Sequence, residues 1–169
     1  MSKTIVKHKH LSLRQIERVF AIARIGLCSM PIRSEFLPKL FFFLSYLKVC
    51  ESEMFDKIAD FSYDLQGLVD ALEQWVPLDV LAPDSQEQLL FHNLMAITLS
   101  CYAEGYYKFM SATRDQIVKL FDDNTLMVSF SKFDKNMVSR CINSYYINDK
   151  VYTIGFITNR LRMLERLTN

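Results

Sequence analysis

The chain has 169 residues, half of them hydrophobic and 13% aromatic, with 20 basic against 19 acidic side chains and a formal net charge of +1. That length and composition describe one domain that buries about 70% of the surface its unfolded form exposes, needing neither disulfides nor a structural metal. They exclude an intrinsically disordered chain and a dedicated nucleic-acid binder, which would carry a large basic excess. Four glycines and four prolines leave little turn chemistry for a many-stranded β fold, so the composition reads as mostly helical.

Charge is distributed unevenly. From Ser2 to Arg24 the bases Lys3, Lys7, Lys9, Arg14, Arg18 and Arg24 face a single acid, Glu17. Between Glu51 and Leu90 ten acids face Lys57 alone, a solvated acidic surface with a protein-partner contact as its functional alternative.

Residues 1–10 read as a flexible basic lead-in, and 11–169 as one helical domain. Ser12 with Gln15 forms a capping box, and Leu13, Ile16, Phe20, Ala23 and Leu27 follow at steps of three and four, the expected core stripe of a helix over about 12–29 that Pro31 ends. Ser34 is the expected cap of a second helix, with Pro38 in its first turn. Its LFFFLSYLKV run is apolar on nearly every face, which places it at the centre of the fold. A short helix is expected around 52–59. A fourth carries Leu65, Leu68, Val69, Leu72, Trp75 and Val76 and ends at Pro77.

Two more capping boxes, Ser85 with Gln88 and Thr113 with Gln116, open a long helix over about 86–110 and a shorter one after it. Asp134 can cap a helix carrying Met137, Val138 and Cys141. LMVSFSKF (126–133) reads as strand or loop, KVYTIGFIT (150–158) as strand or helix, and NRLRMLERL closes the chain as a helix. The expected fold is an all-α irregular bundle of about seven helices, with room for a small β-hairpin near the C-terminus. Its helices divide at the Pro77 loop into a set over 11–76 and a C-terminal set over 77–169.

Reactive residues are sparse. Cys28, Cys50, Cys101 and Cys141 form no C-x-x-C unit and read as reduced, buried thiols. The first ten residues lack the apolar segment of a secretory signal, and no apolar stretch approaches the about 20 residues of a membrane span, so the expected location is cytoplasmic. Gly26, Gly67, Gly105 and Gly155 lie far apart and build no phosphate-binding loop. His92 lies nine residues before Cys101 on the long helix, which puts the two on opposite faces and prevents nucleophile–base pairing. His8 and His10 lack a third metal ligand. Asp56, Asp60 and Asp64 would line up only if one helix ran through them, and a break near Ser62 makes them separate exposed acids. Tyr102, Tyr106 and Phe109 read as a helix-packing stripe.

Arg14 and Arg18 stand out, because both are cations in the first turns of a helix, where the macrodipole is already positive. A docked anion would relieve that conflict. The runs His10-Leu-Ser-Leu-Arg-Gln-Ile-Glu-Arg-Val-Phe20, Phe43-Leu-Ser-Tyr-Leu-Lys-Val-Cys50 and Met54-Phe55-Asp56-Lys57-Ile58 resemble the C-terminal helical part of KAP-family P-loop NTPases, prokaryotic and phage-linked relatives of AAA+ and STAND ATPases. The resemblance covers residues 9–75. It implies that Arg14 is similar to the sensor-2 arginine that reaches the γ-phosphate from the lid, with Arg18 assisting. It also implies ATP and Mg in a full-length parent, an upstream NTPase core as partner, and no catalysis by this chain alone, since neither Walker motif is present in it. A stand-alone helical interaction module, meeting a protein through the acidic 51–90 face, is the alternative expectation. No direct nucleic-acid contact is expected in either case.

Overall fold

The computed structural model describes residues 9–29, 37–75, 86–109, 116, 119 and 154–165; of residues 87–89, 92, 104, 107–109 and 165 it describes the helical backbone only. Among the described residues there are six helices and no strand: α1 (Leu13–Cys28), α2 (Pro38–Cys50), α3 (Ser52–Ala59), α4 (Leu65–Trp75), α5 (Gln86–Phe109) and α6 (Ile154–Glu165). The all-α class is as expected; six helices have described bounds, and Lys9, Gln116 and Lys119 are helical outside them. The hairpin loses its C-terminal arm, because KVYTIGFIT is helical from Ile154 onward; Ile154, Ile157, Thr158 and Leu161 are buried at helical spacing. The expected Ser34 and Ser85 caps, the 126–133 segment and the Asp134 helix lie outside the described residues, and Gln116 and Lys119 are helical.

α2 is the central rod. Leu40, Phe41 and every residue from Phe43 to Lys48 are buried, as an all-round apolar helix requires. It packs against α1, α3, α5 and α6. Pro38 stands in its first turn, where a missing N–H costs nothing. Ser45, in the middle, donates its hydroxyl to the Phe41 carbonyl at 2.9 Å, which removes the need for a partner in the core. The buried Lys48 lays its Nζ over the Phe55 ring, 4.8 Å from the centroid.

α3 stops at Ala59, and the chain turns through Phe61, whose φ of 52° is left-handed. Asp64 opens α4 by accepting from the Gly67 amide at 2.7 Å. The turn is held from α5. The buried Tyr102 Oη donates to the Tyr63 carbonyl at 2.8 Å and accepts from the Tyr63 amide at 3.0 Å, satisfying both backbone groups of one loop residue. Phe61 packs its ring on Tyr102 at 5.2 Å and lies directly over Gly105.

Trp75, at the end of α4, meets Phe43, Tyr46 and Phe91 at ring distances of 4.8, 5.5 and 6.2 Å, joining α2, α4 and α5 in one aromatic cluster. α6 then returns from the C-terminal part of the chain and packs on α1, α2, α3 and α5. At the other end of the described chain, Lys9 is partly buried, with its Nζ 5.2 Å from the centroid of the Trp75 ring. Within the expected lead-in, Lys9 thus contacts the core, whereas His10 beside it is exposed.

Candidate functional site on the first helix

α1 begins as its sequence dictates. Ser12 Oγ accepts from the Gln15 amide at 3.3 Å, and Gln15 Oε1 accepts from the Ser12 amide at 3.0 Å, completing the capping box. The face that α1 buries is not the expected one. Val19, Ala23 and Gly26 point into the core, with Ile16 and Ile22 half-buried beside them. Leu13, Phe20 and Leu27, three members of the expected core stripe, are 71%, 51% and 45% exposed.

The cause is Gly26. A Cβ built there would meet Phe41 Cζ at 2.7 Å and Leu161 Cδ2 at 3.5 Å, so the backbone of α1 lies directly on α2 and α6 at this point. Closest approach through glycine rotates the helix until the row 19, 23 and 26 faces inward, and the row 13, 20 and 27 turns outward. Phe20 still meets the half-buried Phe42 ring at 5.5 Å.

Arg14 and Arg18 are both exposed. Arg14 makes no hydrogen bond or ion pair with another described residue. Arg18 has an electrostatic setting of its own. Burial pushes the Cys50 thiol up, Glu51 adds to this, and the Arg18 charge opposes it, so Arg18 lies toward the C-terminal end of α2, where a helix favours a cation. Glu17 and Arg24 are also exposed, on the flank of the outward apolar row.

The acidic 51–90 region is largely answered from within. Arg162 of α6 donates from Nη1 and Nη2 to the two Asp60 oxygens at 2.6 and 2.9 Å, and from Nη2 to Asp56 Oδ1 at 3.1 Å. This fork holds the Asp60 carboxyl below its usual range and raises the guanidinium further. Lys57 binds Glu53 at 2.7 Å within α3, and its hydrogen bond holds that carboxyl low. Gln66 donates to Asp70 at 2.7 Å, and Lys9 approaches Glu51 at 4.0 Å. Asp79 and Asp84 lie outside the described residues.

The remaining candidates separate. Cys28 is exposed, Cys50 half-buried and Cys101 buried, all free thiols; the expectation of uniformly buried thiols fails at Cys28, which sits on the outer side of α1. Cys141, His8 and the His92 side chain lie outside the described residues, and His10 is exposed in a left-handed turn with φ of 48°. Tyr102 and Tyr106 stack at 6.0 Å as a packing pair. Among the described residues no three His, Cys, Asp or Glu side chains gather as a metal site, and no helix is long and apolar enough to cross a membrane.

The outward row was legible in principle. Residues 13, 20 and 27 recur every seven residues, the period of a helix–helix seam, and with the inward-turned Ile16 and Ala23 between them they read equally as a core face. Arg162 carried no such signal, since its partners lie more than a hundred residues away in the chain. Compared with known proteins, the chain matches no family model, no curated protein and no solved structure.

Proposed function

We propose that this chain is a helical interaction module whose working surface is the outward face of α1. One observation carries the reading: Leu13, Phe20 and Leu27 form an exposed apolar row along a well-capped helix whose other face is fixed to the core. A row of this kind invites a protein contact, in the manner of a helix laid against a groove or a second helix. Flanking Glu17, Arg24 and Arg14 give the contact a charged rim. The acidic 51–90 face is the weaker surface, because its acids Glu51, Glu53, Asp56 and Asp60 are already paired with Lys9, Lys57 and Arg162.

The test is a photo-crosslinking benzoylphenylalanine in place of Phe20, with the same group in place of Asp70 as control, in the native host. The reading expects a defined protein adduct from position 20 and none from position 70. Equal adducts from both positions, or none, would end it.

A second reading is favoured by the exposure of Arg14 in the first turn of α1. On it, the chain is the lid and C-terminal helical region of a KAP-type P-loop ATPase in the cytoplasm. Arg14 senses the γ-phosphate of ATP–Mg bound by an upstream core, Arg18 assists, and the helices relay the signal. It requires a coding sequence with G-x-x-x-x-G-K-[ST] upstream in the same reading frame. In such a parent, Arg14→Ala lowers ATP turnover without altering the helical fold, and unchanged turnover removes the sensor role. Neither reading gives this chain catalysis of its own.

A further inference from the structure

The outward face of α1 carries a pattern that selects its own partner. Residues 13, 16, 20 and 23 occupy the a and d positions of two heptads and residue 27 the next a, which puts Glu17 and Arg24 at the two e positions and Val19 and Gly26 at the g positions. Ile16, Ala23 and both g residues are turned toward the core, whereas the three a residues and both e residues are exposed. What α1 offers outward is therefore an a/e strip: Leu13, Glu17, Phe20, Arg24 and Leu27.

That strip is self-complementary in one register. If a second α1 runs antiparallel with Phe20 against Phe20, residue i faces the partner's residue 40 minus i, so each Leu13 meets the partner's Leu27. In an antiparallel pair e residues sit beside e residues. Glu17 then lies within one residue rise, about 1.5 Å, of the level of the second copy's Arg24, and the two-fold axis makes the same pair twice. A parallel pair would set the charged e residues beside Val19 and Gly26, which are apolar and already buried. We infer that the occupant of the α1 face is a second copy of this chain, docked as an antiparallel two-fold helix pair centred on Phe20 with reciprocal Glu17–Arg24 ion pairs. The inference rests on the reading of this face as a protein-contact surface.

α1 is 16 residues, about 24 Å long. A single pair of helices this short buries less than the about 1,200 Å² of a standard stable interface, so the dimer forms in the micromolar range and its population depends on concentration. Antiparallel helix dipoles and the isologous geometry favour closure as a dimer over open chains.

The experiment is sedimentation equilibrium of the full chain over a micromolar concentration series, with four variants. The wild type shows a reversible monomer–dimer equilibrium. Glu17→Arg and Arg24→Glu each place like charges opposite one another twice and weaken association roughly tenfold. The double variant Glu17→Arg, Arg24→Glu restores it, and Phe20→Glu abolishes it with the helical circular dichroism unchanged. A monomer at all concentrations, a dimer indifferent to the single swaps, or a double variant no better than the singles overturns the inference. So does a monomer whose urea midpoint falls sharply on Phe20→Glu, since the row would then be covered by this chain itself. A monomeric chain that still gives an adduct with a different protein from position 20 ends self-pairing and leaves the broader reading standing.

Discussion

Arg162 meets two carboxylates four residues apart, Asp56 on α3 and Asp60 at its C-cap, and this is why they tolerate each other. Like charges at that spacing repel in an isolated helix, and here a planar fork answers both. The contact joins α6 to α3 across more than a hundred residues of chain. Its pH dependence has a defined sign. The hydrogen bond from Arg162 holds the folded Asp60 carboxyl below its ordinary value, so its stabilisation is complete above about pH 4 and is lost as the pH falls through the lowered folded value. Asp60→Asn is therefore less stable than the wild type at neutral pH, and the gap narrows as the pH is taken from about 5 to about 2. Thermal melts across that range check it; a gap that stays constant would show that the carboxylate charge plays no part.

At the scale of elements, the packing of α1 on α2 turns on one missing side chain. A glycine inside a helix is ordinarily about 1 kcal/mol worse than alanine, so Gly26→Ala would stabilise an exposed helix. Here the added methyl runs into the Phe41 ring at 2.7 Å, and that ring is itself buried, so it must shift within the core to make room. The expected outcome is a loss of about 1–3 kcal/mol, read as a lower urea midpoint, and any gain in stability would show that α1 does not lie this close to α2. The same contact explains what the sequence concealed. Caps and breakers are local, and Ser12, Gln15, Pro38 and Asp64 act as their side-chain chemistry dictates. The all-round apolar run of α2 announced a central helix. The buried face of α1 is hidden in the sequence because Leu13, Ile16, Phe20, Ala23 and Leu27 make the more apolar stripe, whereas glycine, with no side chain to mark a core position, makes the closest approach. Ile154–Glu165 resisted for a related reason: its isoleucines and Thr158 suit a strand locally, and burial against α1, α2, α3 and α5 decides for helix.

At the scale of the molecule, one aromatic and aliphatic core among the described residues gathers around α2 and is closed by α6, and its acidic side is stitched by Arg162 and Lys57. α1 lies at the edge of that core with one face inside and one outside. Arg14, Glu17 and Arg24 belong to the outside, which is why the candidate site was partly visible in the sequence as a basic oddity and its apolar half was assigned to the core. Every functional proposal depends on this division of α1. It is tested most directly by comparing Val19→Glu with Leu27→Glu in urea unfolding at low protein concentration. Val19 is 3% exposed and Leu27 45%, so the account predicts a loss of several kcal/mol or failure to fold for the first and a midpoint close to wild type for the second. Comparable losses at both positions, or the larger loss at Leu27, would contradict it.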